Sequence, residues 1–174
     1  MPPTAETAVA SSVKGQSAVF GASIDPEVQS TTYQFEYGTT TSYGSVTSLK
    51  SAGSGATAVA ESEPVSGLAP NTTYHYRVTA NNASGRTYGE DQEFTTLKLP
   101  TPTTGAATAL TPTGTTLNGT VNPEGMAVEY QFADGTTTAY GSKVPASPAA
   151  IGSGTTPIAV SQAVTGLVSG TTYH

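Results

Sequence analysis

The side chains able to do chemistry are few, and their spacing works against it. His75 and His174 are the only histidines. Each falls on the outward side of a strand-like alternation, and neither has a second His, Cys or carboxylate at the spacing a metal site requires. Serines are plentiful, but no Gly-x-Ser-x-Gly elbow marks a strand-to-helix turn. No histidine is placed to serve a Ser/Asp triad. Glu90, Asp91 and Glu93 cluster, and calcium would need such oxygens to converge on one point. In a single strand Glu90 and Asp91 face opposite ways, so the cluster reads as a charged edge that resists pairing. The chain has no Cys, which removes thiol and disulfide chemistry. The expectation is a protein that is not an enzyme, with no cofactor and no metal.

Composition narrows the remaining classes. The formal net charge is −6 and there are only six Lys or Arg. Without a basic stripe, nucleic acid is not an expected partner. No run of about 18 apolar residues is present, so no helix is expected to insert into a membrane. Met1-Pro2-Pro3-Thr4 has neither the basic start nor the apolar centre of a signal peptide. Secretion, where it occurs, is therefore expected to be directed by sequence outside these residues. Charged residues make up 10% of the chain, against about 25% in an average globular protein. Long helices want more Leu, Lys, Glu and Arg than this. Thr, Val and Tyr suit half-buried strands, and 19 Gly with 12 Pro supply turns. An all-β fold is expected.

The elements that must carry any site come twice. Tyr33-Gln34-Phe35-Glu36-Tyr37-Gly38-Thr39-Thr40-Thr41-Ser42-Tyr43-Gly44-Ser45 returns, 97 residues on, as Tyr130-Gln131-Phe132-Ala133-Asp134-Gly135-Thr136-Thr137-Thr138-Ala139-Tyr140-Gly141-Ser142. Ile24-Asp25-Pro26 returns as Val121-Asn122-Pro123. Further along the offset is 99: Gly53-Ser54-Gly55 matches Gly152-Ser153-Gly154, and Thr72-Thr73-Tyr74-His75 matches Thr171-Thr172-Tyr173-His174. The two-residue change falls between positions 45 and 53 of the first copy, the second being the longer, where a surface loop tolerates it. The boundaries that follow are a first module at 1–97, a Pro-rich linker at 98–102, and a second module at 103–174.

Within the first copy the apolar residues alternate. Phe20, Ala22 and Ile24 share a face, as do Tyr33, Phe35 and Tyr37, and then Tyr74, Tyr76, Val78 and Ala80. Period two with one wet face indicates antiparallel sheet. Turn signals separate seven expected strands, near 5–12, 17–24, 31–37, 42–49, 56–65, 73–81 and 86–95. Seven short strands in fewer than 100 residues point to a two-sheet Greek-key sandwich.

The segment Leu68-Ala69-Pro70-Asn71-Thr72-Thr73-Tyr74, followed by Tyr76, Val78 and Ala80, resembles the E–F corner and strand F of a fibronectin type III module. The resemblance covers the first copy and about three-quarters of the second. It implies an immunoglobulin-like β-sandwich with a tyrosine corner. Tyr74 and Tyr173 are the corner candidates, Leu68 and Leu167 the plugs beneath them, and Pro70, Thr72 and Thr171 the rest of the signature. The family usually carries a Trp in strand B. This chain has no Trp, and Phe20 and Leu117 stand there instead. That pattern is similar to the divergent, Thr-rich version of the module in secreted and cell-surface bacterial proteins and in phage tails.

Such a resemblance implies an extracellular or cell-surface structural role, with neighbouring modules of the same array as partners. The alternative is an adhesin or carbohydrate-binding accessory module contacting a protein or glycan at a surface. Its candidate contacts are Tyr43, Tyr88 and Tyr140 in or beside loops, and Asn82 and Arg86 in the F–G loop. That loop reads Ser84-Gly85-Arg86 and no Arg-Gly-Asp is present, so the integrin motif of some modules is not expected. The second copy stops at the counterpart of His75, without residues matching Tyr76 to Thr96. It is expected to expose a groove and open edges. A third reading is therefore self-assembly of a filament or tail through strand complementation at that edge.

Overall fold

The computed structural model describes all 174 residues. It divides into two compact units, Met1–Leu97 and Lys98–His174, and every regular element is a strand.

Unit 1 is a sandwich of two antiparallel sheets. One contains β1 (Thr4–Ser11), β2 (Ser17–Asp25) and β6 (Val59–Ser66), in the order β1-β2-β6. The other is built on β3 (Thr31–Gly38) and β7 (Thr73–Asn82). On β3 it adds β4 (Ser45–Val46) and β5 (Lys50–Gly53), and on β7 it adds β8 (Gly85–Tyr88) and β9 (Gln92–Thr95). This is the all-β, two-sheet Greek-key sandwich expected from the alternation and the strand count. Two expected strands differ. Of the stretch 42–49 only β4 is strand, and β5 begins just past it, because Thr47 turns inward and its hydroxyl accepts from the Phe35 amide (3.0 Å). The stretch 86–95 becomes β8 and β9, separated by Gly89. A Cβ there would overlap the Thr7 hydroxyl and lie 2.8 Å from the Thr7 nitrogen.

The core of unit 1 is a ring cluster. Phe20 on β2 stacks on Tyr76 of β7, with centroids 4.3 Å apart and planes 14° apart. It meets Phe35, Tyr37 and Phe94 edge-on at 5.5–5.7 Å, a favoured aromatic geometry. Phe20, Phe35 and Tyr76 are fully buried.

The corner follows from its residues. Asn71 takes the left-handed conformation (φ 48°) that Asn tolerates. The chain then turns so that the Ala69 amide donates to the Tyr74 hydroxyl at 3.0 Å. The Thr72 hydroxyl donates to the Pro70 carbonyl at 2.9 Å, and the Leu68 amide to Gln16 at 3.1 Å. Tyr74→Phe keeps the ring and removes the acceptor. It should cost ~1 kcal/mol, read as a lower urea midpoint with an unchanged slope; no change would mean that water replaces the bond.

Unit 2 contains β10 (Thr101–Thr104), β11 (Thr108–Thr111), β12 (Gly114–Asn122), β13 (Val128–Asp134), β14 (Ser142–Gly152) and β15 (Ile158–Thr165). Its ladders keep the registers of unit 1. Thr4↔Asp25 corresponds to Thr101↔Asn122, and Ser11↔Val19 to Thr108↔Thr116. Ser17↔Ser66 corresponds to Gly114↔Thr165, and Thr31↔Gly53 to Val128↔Gly152. The extra residues are confined to the stretch between Val144, still paired with Phe132, and Ala149, still paired with Tyr130. The corner also recurs: the Val168 amide donates to the Tyr173 hydroxyl (3.1 Å). One boundary differs from expectation. Thr101 and Pro102, expected in the linker, pair with β12 as part of β10. Pro102 is tolerated because β10 is an edge strand. Only 96–100 lie outside strands between the units.

Candidate functional site

The richest polar cluster lies on the outward face of the β3-β7-β8 sheet of unit 1. Cross-strand registry assembles it. Arg77 on β7 stands opposite Glu36 on β3, and its Nε and Nη2 each approach Glu36 Oε2 at 2.9 Å. The Arg77 guanidinium lies over two rings, Tyr88 at 4.2 Å and Tyr43 at 4.8 Å from their centroids. Both distances are within cation–π range. Tyr43 is presented by the β3–β4 loop in a left-handed conformation (φ 56°), and its hydroxyl donates to Asp91 Oδ1 at 3.0 Å. Asp91 Oδ2 lies 2.8 Å from His75 Nδ1, and His75 Nε2 lies 3.8 Å from Glu93.

Electrostatics follows from this packing. Burial, and then the bond to Asp91, raise the Tyr43 phenol above its ordinary value, with Arg77 opposing. The neighbouring Tyr88 hydroxyl raises the Arg86 guanidinium. Deeper in, burial pushes the Tyr76 phenol up to about 12.

The structure changes two readings of the sequence. His75 is not free of carboxylates, because Asp91 and Glu93 on the neighbouring segment reach it. Glu90 and Asp91 do not alternate along a strand; they lie in the break between β8 and β9. Of the candidate contacts, Tyr43 and Tyr88 are brought together around Arg77, with Arg86 beside Tyr88. Asn82 is held elsewhere. It is 6% exposed, donates to the Met1 and Pro26 carbonyls and accepts from the Ser84 amide. Its side chain thus has a scaffolding task. Tyr140 in unit 2 repeats the Tyr43 backbone (φ 55°) and is exposed.

Chemically the unit 1 cluster is closed on itself. Glu36, Arg77, His75, Asp91 and Glu93 are each partnered within it, and no serine or threonine is held against the His75–Asp91 pair. No group of three or more His, Cys, Asp or Glu side chains is arranged to hold a metal. No helix is long and apolar enough to cross a membrane.

Unit 2 presents the second candidate, a groove of about 680 Å³ lined by Leu117, Phe132, Asp134, Tyr140, Leu167 and Tyr173, among others. The matching residues of unit 1 are Phe20, Phe35, Tyr37, Tyr43, Leu68 and Tyr74, packed beneath or beside β7 and β9. Phe132 and Leu117 are only half-buried, whereas Phe35 and Phe20 are sealed.

No family model and no curated protein matches this chain. Among solved structures it is similar to the sensor domain of the anti-sigma factor RsgI4 of Pseudobacteroides cellulosolvens. A short form is 22% identical, covering 57% of this chain and 98% of that one, with a TM-score of 0.47. The solution structure of that domain is 21% identical over 55% and 76%, with a TM-score of 0.43. The FN1–FN3 domains of chicken CNTN1 are 13% identical over 99% of this chain and 58% of theirs, with a TM-score of 0.32.

Proposed function

We propose that this chain is a non-catalytic structural segment of an extracellular or cell-surface protein, a spacer of fibronectin type III-like units whose partners are neighbouring units. One observation carries the reading: the units share their scaffold and not their surface chemistry. Ladder registers, corner bonds and the Tyr43/Tyr140 turn recur. The Lys50–Glu63 ion pair is replaced by Ala149 and Gln162, the Tyr33–Glu61 bond loses its carboxylate to Val160, and Glu36 gives way to Ala133. A ligand site needed in every unit would hold its polar groups fixed. A spacer needs only the fold.

Display on a bacterial surface tests this. Placed between an anchor and an epitope tag, the segment should restore antibody access to a tag that the bare anchor hides. A Tyr43→Ser, Arg77→Ser, Tyr88→Ser version should do so equally. If that version stays folded but loses the effect, or if the native segment captures a surface glycan and the triple variant does not, the binding reading replaces the spacer. The observation favouring that alternative is Tyr88, 46% exposed and already stacked on a cation. Against it, Tyr43 has committed its ring to Arg77 and its hydroxyl to Asp91.

A further inference from the structure

We infer that the outer edge of β15 is a self-association edge, where a second copy of this chain adds its own β15, antiparallel, across a twofold axis at Gln162.

The open edge belongs to the sandwich itself. β15 is bonded on one side only, to β12, and its counterpart β6 is likewise the last strand of its sheet in unit 1. Neighbouring bonds show which backbone groups are open. The Asn118 carbonyl accepts from the Gly105 amide, and the Thr113 carbonyl from the Leu167 amide. Backbone groups alternate sides along an antiparallel strand. Thr115, Leu117, Gly119 and Val121 therefore bond towards β15, opposite Val164, Gln162, Val160 and Ile158. The amides and carbonyls of Ala159, Ser161, Ala163 and Thr165 point outward, and all four residues are exposed. The Tyr130 hydroxyl reaches the outward Ser161 carbonyl at 3.3 Å; a carbonyl has a second lone pair for an incoming amide.

Unit 1 guards this edge and unit 2 does not. On β6, Pro64 has no amide to offer, Glu61 and Glu63 lie on the inward side, and Lys50 reaches Glu63 from β5 in the other sheet. Inward charges and edge prolines keep exposed strands from pairing. The matching residues of unit 2 are Ala163, Val160, Gln162 and Ala149. Strand 158–165 has no charge, no Gly and no Pro, the composition that favours strand pairing between chains.

The sequence of β15 selects a second copy of itself. With Gln162 on the axis, Ala159 pairs with Thr165 and Ser161 with Ala163, so every open amide meets a carbonyl. An axis at Ser161 would set Pro157 opposite Thr165 and lose a donor. In the Gln162 register Val160 stands opposite Val164, and the two Gln162 side chains face each other in a non-hydrogen-bonded pair, where side chains come closest. A carboxamide carries both donors and an acceptor, so Gln can bond its own copy. Glu63 in that place would set like charges directly opposite, which is destabilising. A partner of other chemistry would be chosen through side-chain pockets or charges, and this strand offers neither. The inference rests on the sheet of unit 2 and not on the spacer role, so either can fail without the other.

Sedimentation of the 174-residue protein should show a concentration-dependent dimer. Hydrogen exchange at the amides of Ala159, Ser161, Ala163 and Thr165 should slow as it forms. Ala163→Pro copies the edge proline of unit 1, which an edge strand accepts. It removes one donor from each copy and should weaken dimerisation about tenfold or more. The chain has no Cys, so single substitutions report the register. Under mild oxidation Gln162→Cys should link two copies, and Ala159→Cys, distant from its own copy in this pairing, should not. Equal linking at both positions would overturn the inference, as would a dimer that Ala163→Pro leaves intact. A protein that stays monomeric at millimolar concentration, its four amides unprotected, would also overturn it and leave the edge to a different chain.

Discussion

Phe20→Ala should remove about 3–5 kcal/mol from the stability of unit 1, the largest single-residue effect expected in this protein. The ring is fully buried and touches four others, all on the facing sheet. Truncation removes the transfer free energy of the side chain and leaves a cavity between strands that hydrogen-bonded ladders prevent from closing. The matching change in unit 2, Leu117→Ala, should cost less than half as much, because Leu117 already faces the groove. With no Trp in the chain, near-ultraviolet tyrosine dichroism in urea is the suitable probe. Equal losses at the two positions would mean that the ring cluster is not what holds the sheets of unit 1 together.

Gly38→Ala is the second large effect, and its cause is backbone. A Cβ at Gly38 would overlap the Tyr43 carbonyl. That neighbour is main chain, so no side chain can swing away and the 39–44 loop must open. Overpacking of this type costs about 1–3 kcal/mol, occasionally more. Here the moved loop also carries Tyr43 away from Arg77 and Asp91. A cycle with Tyr43→Phe separates the two parts: if the loop opens, Tyr43→Phe should add almost nothing to Gly38→Ala. Full additivity would show that the loop stays in place. The same approach recurs at Gly135, where a Cβ would lie 2.7 Å from the Tyr140 Cα.

Those glycines show which parts of the fold could be read from the chain. The period-two alternation of Phe20, Ala22 and Ile24 places β2 directly, since burial is a local consequence of which face a residue takes. The offsets of 97 and 99 locate both units, and the Leu68–Tyr74 signature locates the corner. The surface cluster was not legible. Arg77 and Glu36 are 41 residues apart, and His75 and Asp91 are 16 apart; they meet only because particular rungs of β3, β7 and β9 align. The shortness of β4 and the break in 86–95 were hidden for a related reason. Each is imposed by a residue from elsewhere in unit 1, Phe35 on Thr47 and Thr7 on Gly89. The inclusion of Pro102 in β10 depended on its strand lying at a sheet edge, which no local pattern reports.

The connection at 145–148 has a consequence for how such chains change length. In unit 2 it is two residues longer than in unit 1, yet Phe132↔Val144 and Tyr130↔Ala149 hold on either side. The added chain is absorbed outside the ladder, so insertion there is decoupled from core geometry. This makes the bend a grafting port, where a foreign peptide can be carried outward with the scaffold left as it is.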